Sequence, residues 1–424
     1  MLQQTSILFL IILFCMISYY LIAPWLSKDK TQIWSPITII SLTFLYYIVK
    51  PSIEGCNMYG ASNAINQYIF YLCSVVFYGC ILFAFKKTKD SCFRKWNTLF
   101  VPSNSQKTAL VLFIIAMICY VPFRGLRTTI SAADATLVSA RTGLVSYFID
   151  LISLFVSACC LALVGLYNTK GLGLKKRIVI LFILYFTLVM FIVGGFRYRI
   201  VILILALATT YHLYPIPRKI NYLVLAPVAI IAYLGFAVMD SARSYGRGID
   251  FDAVSSITLQ DASKGAGESN DVCCFSIAAV DVYSRNNSYI GFEPITTAIF
   301  MPIPRAIFPS KPDGSYLREA QIKIIGNSEG GAAFLIQVEA YLAFGIFGVI
   351  LYGLFVGWLS KKIWSNYQNN KDSIGAIILL ALFNGFIYTW MSRGYMAGAF
   401  NDFIYFVALP FWLVQLVNRF TKTR

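Results

Sequence analysis

Two runs of residues carry most of the chemistry legible in this 424-residue chain. The first, Ile303-Pro304-Arg305-Ala306-Ile307-Phe308-Pro309-Ser310-Lys311-Pro312, sets two cations among three prolines. Each proline fixes its own φ, so Arg305 and Lys311 are predicted to sit on a stiff, extended strap suited to gripping an anion. The second, Glu339-x-Tyr341-x-x-Phe344-Gly345-x-x-Gly348, places a carboxylate inside an apolar stretch, where a charge is costly and needs a reason. Further arginines punctuate the turns between apolar runs. Arg197 and Arg199 follow Gly194-Gly195-Phe196, Arg124 and Arg127 end another run, Arg243 and Arg247 open a long hydrophilic stretch, and Arg393 sits between two late runs. The planar guanidinium fork binds phosphate oxygens in pairs, so the chemistry these positions suggest is phosphate recognition. For any one of them the plainer reading is contact with lipid headgroups.

The elements that must position these residues are membrane helices. With 58% hydrophobic residues, 13% charged residues and a mean hydropathy of +0.69, the chain is too apolar for a soluble protein of its length. The apolar runs are spanning length and lack the alternation of a barrel strand, which leaves helices as the only spanning structure. Eleven spans are expected, near 5–23, 33–49, 65–85, 108–123, 143–166, 178–194, 198–213, 220–239, 333–358, 374–392 and 399–417. The reading is an all-α polytopic membrane protein: residues 1–239 hold spans one to eight, 240–332 form one large outer loop, and 333–424 hold the last three. The first run has no basic n-region and no cleavage pattern, and is expected to be a retained helix.

Lysines and arginines sort into alternate loops when the N-terminus is placed outside and the C-terminus inside. Fifteen of the twenty inner cations are then lysine, whereas eleven of the fifteen outer ones are arginine. Diffuse attraction to anionic headgroups suits the first set, bidentate phosphate binding the second. Within residues 240–332, short helices are expected near 271–284 and 316–325, and the proline-broken stretch 294–308 is too short to span. Cys56, Cys273 and Cys274 fall in outer loops, where a disulfide from Cys56 to the pair is open. Gly353-x-x-x-Gly357 reads as helix packing.

Several function classes drop out. The chain has no phosphate-binding glycine loop, dinucleotide fingerprint or clustered metal ligands, so no cofactor is expected. Its single histidine, His212, lies at the inner end of a span. The net charge of +16 and pI near 9.3 are spread over membrane loops with no soluble domain, which points to lipids and phosphates and away from nucleic acid.

The proline-cation strap at Pro304–Pro312, the Glu339–Gly348 run, the Gly195-Phe-Arg-Tyr-Arg199 turn and the topology together resemble the O-antigen polymerase (Wzy) family of the bacterial inner membrane. That resemblance implies a glycosyltransferase of lipopolysaccharide biosynthesis with a GT-C-like helix arrangement, acting at the periplasmic face. It would join undecaprenyl-pyrophosphate-linked repeat units, alongside membrane lipids and a chain-length regulator as partners. The related O-antigen ligases carry a histidine in their outer loop, which this chain lacks, and a lipid-linked oligosaccharide flippase would need polar groups through the middle of many spans; both stand as alternatives.

On the polymerase reading, Arg305 and Glu339 are the expected catalytic residues. Arg199, Arg243 and Lys311 are the expected pyrophosphate contacts, with Arg124, Arg127, Arg247, Arg393 and Tyr341 as further substrate-binding positions. Glu339 is read in two ways: it orients one of these arginines by a buried ion pair, or it accepts the proton of the acceptor hydroxyl. The first is favoured because charges within a membrane generally come paired.

Overall fold

The computed structural model describes residues 2–59, 61–101, 104–129, 151–167, 173–193, 197–218, 235, 243–244, 248–249, 268–284, 289–303, 307–312, 314–326 and 333–422. Among these the protein is helical, apart from a minimal antiparallel ribbon in which Arg243 and Ser244 pair with Ile249 and Gly248. Among the described residues six helices are long and apolar enough to cross a membrane: Leu2–Leu26, Pro36–Glu54, Ala64–Lys87, Ile336–Gln368, Ile374–Ser392 and Met396–Leu416.

The expected count of eleven is reached only in part, for local reasons. Ser105–Tyr120, Leu151–Tyr167 and Tyr198–Leu213 are apolar but shorter. A 17-residue helix such as Arg197–Leu213 rises about 26 Å, just under the ~30 Å hydrocarbon thickness. Helix Leu174–Val193 carries Lys175, Lys176 and Arg177 in its first turn, which removes one end from the apolar stretch. The expected span 220–239 lies outside the described residues, apart from residue 235.

Sequence accounts for the irregularities in the long helices. Leu45–Val49 and Phe403–Ala408 are π-helical, and each lies just before a proline, Pro51 and Pro410. A proline lacks the N–H that would bond four residues back, so the ladder upstream widens. Helix Ile374–Ser392 is buried almost throughout and sits at the centre, packed by Pro36–Phe44, Leu154–Tyr167, Arg197–Leu213 and Ile336–Gln368. The Gly353 and Gly357 pair does what its spacing suggested: a side chain at Gly353 would meet the Phe77 carbonyl at 2.8 Å, and one at Gly357 would overlap the Ile81 carbonyl, so helix Ala64–Lys87 approaches to backbone contact.

Contacts between sequence-distant loops fall into two sets at the two ends of the bundle. At one end Asn97 and Asn366 exchange amide hydrogen bonds of 3.0 Å, Lys361 pairs with Asp90 at 2.8 Å, Lys371 with Asp29 at 3.3 Å, and Trp34 stacks on His212. At the other end Cys56 is bonded to Cys274, Lys50 reaches Ser269, and Tyr198 lies under Arg393. Each contact joins loops that the lysine and arginine sorting put on the same side.

The described helices of the long hydrophilic stretch pack at the second end. Its helices Glu268–Ser284 and Ser315–Ile325 fall close to the expected 271–284 and 316–325, and the proline-broken part starts with the short helix Glu293–Phe300. Helix Glu268–Ser284 is packed on Ala64–Lys87 and Ile336–Gln368 with Cys273, Phe275, Ile277 and Val280 buried. Its Ser276 hydroxyl accepts the Leu335 amide at 2.9 Å, one residue before the Glu339 helix begins.

Candidate functional site

The Glu339–Gly348 run is a broken helix. Helix Ile336–Gln368 loses its geometry at Phe344 (φ −143°, ψ 24°) and Gly345 (φ 61°, ψ −146°), a conformation that favours glycine. The break strands carbonyls, and a neighbouring loop takes them: Ile290 donates its amide to Leu342 O at 2.9 Å and Gly291 to Ala343 O at 3.0 Å. Gly348 is required by the same bend, since a side chain there would run into the Ala340 carbonyl. Tyr341 packs edge-on against Tyr289, and Phe344 against Phe292, which braces the loop on the break. The spacing of the motif is thus the spacing of a kink.

Glu339 sits on the short N-terminal half of this helix, fully buried. Its Oε1 accepts the Tyr316 hydroxyl, and the Met396 amide donates to both carboxylate oxygens, at 2.9 and 3.0 Å. The expected arginine partner is not among these contacts. The carboxylate is held instead by a phenol and by backbone: it lies in the first turn of its own helix and faces the first residue of helix Met396–Asp402, so two helix N-termini meet it. Burial, and then the Glu339 charge, hold the Tyr316 phenol well above its usual value near 10, which keeps it a donor.

The turn that Glu339 holds also carries Arg393. Gly394 donates its amide to Phe334 O, and a side chain at Gly394 would meet Leu335 at 2.7 Å, so residues 393–396 are pressed onto the start of the Glu339 helix. The Arg393 guanidinium lies 5.3 Å from the centre of the Tyr198 ring. Arg199, itself buried, lies 5.6 Å from the same ring and donates from Nε to the Tyr198 hydroxyl at 3.1 Å. Two of the sequence-predicted arginines therefore converge on one tyrosine, and a third predicted residue, Glu339, fixes the backbone of one of them.

The other predicted positions are placed differently. Lys311 is buried and donates from Nζ to Met301 O at 3.2 Å and to Ile303 O at 2.8 Å, a cation set on the carbonyls that follow helix Glu293–Phe300. Tyr341 braces the kink. Arg124 and Arg127 lie near the end of helix Ser105–Thr129 and Arg243 on the short ribbon, each described in its backbone only. Arg305 and Arg247 lie outside the described residues. Among the described residues no three His, Cys, Asp or Glu side chains gather as a metal site.

What the sequence reading missed is the tyrosine component. Tyr198 carries both arginine contacts, Tyr316 bonds the carboxylate, and the Tyr316 and Tyr395 rings lie 6.3 Å apart. Among 27 tyrosines in the chain these carry no local mark except Tyr198, which stands between Arg197 and Arg199.

A bundle of membrane helices with an arginine–tyrosine–carboxylate cluster at one end defines a polytopic helical membrane protein with a built polar site. The chain belongs to the O-antigen polysaccharide polymerase Wzy family, whose sequence model matches residues 1–424. Its general activity is accordingly O-antigen polymerisation. No curated protein and no solved structure matches it.

Proposed function

We propose that the protein polymerises undecaprenyl-pyrophosphate-linked oligosaccharide repeat units at the periplasmic face of the inner membrane, at the end of the bundle that carries Arg199, Arg393 and Glu339. The acceptor sugar's hydroxyl oxygen bonds to the donor's anomeric carbon, the bond from that carbon to the pyrophosphate oxygen breaks, and the hydroxyl proton is released. The energy lies in the donor bond, so no nucleotide is required. The protein aligns two lipid-tethered substrates and neutralises charge on the departing diphosphate.

The observation that carries this reading is the convergence of Arg199 and Arg393 on Tyr198. A phenol ring in reach of two guanidinium groups restrains cations that would otherwise repel, and leaves their planar donors preorganised for one anion. Glu339 acts here as a positioning residue: it holds Arg393 through the Met396 amide, which keeps the orienting role and changes its means. Arg305, Arg243 and Lys311 belong to the same reading as pyrophosphate contacts, with Arg124, Arg127 and Arg247 behind them. The Cys56–Cys274 disulfide supports a periplasmic placement of this end, because such bonds persist in oxidising compartments. The full architecture is then eleven spans in a GT-C-like arrangement, with the N-terminus and residues 240–332 outside, the C-terminus inside, and a chain-length regulator as protein partner.

The test is Arg199→Lys and Arg393→Lys in the producing strain. Both keep the charge and lose the fork, so long surface polysaccharide should collapse to single-repeat-capped lipid at normal protein level, a rate loss of about ten- to a hundredfold for a lost charge-assisted bond. Wild-type ladders in both variants would reduce these residues to headgroup contacts.

A further inference from the structure

Helix Glu293–Phe300, in the long hydrophilic stretch, has no face suited to water. Pro294, Thr297, Ala298 and Met301, spaced at i, i+3, i+4 and i+7, are buried, and Ala298 and Met301 pack with Ala397 of helix Met396–Asp402. The opposite side is open and apolar. Phe292 is 68% exposed, Ile299, seven residues on, is 56% exposed, and Ile307 beyond the helix is 75% exposed. From Tyr289 to Ile303 the one charged residue is Glu293, in the first turn. A helix without a charged face belongs in protein or in lipid.

The break in helix Ile336–Gln368 fixes the depth of this segment. Lys361 pairs with Asp90 at the first end of the bundle, which sets a charge at that membrane boundary. Hydrocarbon about 30 Å thick takes about 20 helical residues, and counting back from Lys361 reaches Tyr341. Tilt lengthens the path and carries the count further back. The break at Phe344 and Gly345 therefore lies within the apolar layer, near its far surface. At this level Ile290 and Gly291 donate their amides to Leu342 and Ala343, and the Phe292 ring lies 4.9 Å from that of Phe344. From there the helix turns Phe347, Leu351, Phe355 and Trp358 outward in one stripe, which on a spanning helix faces lipid. The open face of the loop begins at the depth where that stripe ends.

We propose that Phe292, Ile299 and Ile307 are embedded among the lipid acyl chains of the leaflet at the second end of the bundle, so that helix Glu293–Phe300 is a monotopic anchor laid against the spanning helices. Interfacial helices bury an apolar face about 5–10 Å into the headgroup and acyl boundary and give the other to water. Here the other face is given to helix Met396–Asp402. Acyl chains are the occupant because the open face meets the lipid-facing stripe in depth and carries no charge for a protein partner to pair. The segment after the helix is folded back on it: the Phe300 and Phe308 rings lie 5.0 Å apart, and the Lys311 ammonium is set on the Met301 and Ile303 carbonyls. The proline-cation strap is thereby fastened to the bilayer surface through its own helix. This placement is independent of the polymerase reading and of which membrane face is outside.

Nitroxide labels on Ile299→Cys and Ile307→Cys test it, each made in the full chain with the exposed Cys15 and Cys92 replaced by serine and reconstituted into vesicles of phosphatidylethanolamine and phosphatidylglycerol. Both side chains point away from the fold, and a label on Phe347→Cys, 74% exposed on the spanning helix, gives the lipid-facing reference. Collisions with oxygen, which concentrates in acyl chains, should exceed collisions with a water-soluble nickel chelate at 299 and 307, as at 347. An excess of nickel collisions at either loop position would put this face in water and overturn the proposal. Low collision rates with both reagents would show it covered by protein, a second copy included, and would overturn it equally. Neither result bears on polymerisation, which the Arg199→Lys and Arg393→Lys variants test.

Discussion

Tyr316 donates its hydroxyl to Glu339 from a helix of the long hydrophilic stretch, and that bond ties the stretch to the membrane bundle at its one fully buried carboxylate among the described residues. The same carboxylate takes the Met396 amide, so three separate segments share one pair of oxygens. Removing any one donor leaves the others to hold a buried charge.

Tyr316→Phe should therefore lower the melting temperature, by the equivalent of about 1.5–3 kcal/mol for a hydrogen bond to a charged group. It should also change the alkaline limb. The phenol's folded pKa is raised, so its contribution is whole below the unfolded value near 10 and is lost as pH climbs above that toward the folded value. Melting followed from pH 8 to 11 should show a shallower alkaline decline in the variant. Parallel curves would mean that Tyr316 ionises alike in both states.

At the kink, Gly348→Ala should be more damaging than Gly345→Ala. A methyl group at Gly345 meets the movable end of Tyr289 at 2.9 Å and otherwise brings the strain of a left-handed φ, about 1–3 kcal/mol. At Gly348 it meets the backbone carbonyl of Ala340, which cannot swing aside without straightening the break. The yield of monodisperse protein in detergent should fall in that order, and a Gly348→Ala protein as well behaved as wild type would contradict the bend.

Breaking the Cys56–Cys274 bond by Cys56→Ser should cost roughly 2–4 kcal/mol, the usual worth of a native disulfide. It should also loosen helix Glu268–Ser284, whose Ser276 fixes Leu335. Wild-type protein should change mobility with reductant on a denaturing gel, and the variant should not. Labelling of both thiols in unreduced cells would show that the bond does not form.

How far the sequence reached can be judged from individual residues. The Glu339–Gly348 run was legible because a carboxylate inside an apolar stretch is costly, and the burial of Glu339 followed; the break at Phe344 and Gly345 was not legible. Its partner was not legible. Charge pairing predicted an arginine, whereas helix N-termini and a phenol met the carboxylate, and no local pattern reveals which distant backbone amide faces a side chain. Arg199 and Arg393 were legible as cations on the same side but not as neighbours on one ring. Lys311 is expected from its prolines to grip an anion from a stiff extended strap, whereas its ammonium is set on carbonyls eight and ten residues earlier.

Asn97 and Asn366 bond across 269 residues of sequence, and helix Ala64–Lys87 has its closest backbone partner in helix Ile336–Gln368. During synthesis the third span must wait in the bilayer until the last fifth of the chain arrives, its face of Phe77, Cys80, Ile81 and Ala84 covered by lipid until Gly353 and Gly357 close on it. Assembly of this protein is therefore closed by its C-terminal hairpin, and a chain halted before residue 336 holds an unfinished bundle however many spans it has already inserted.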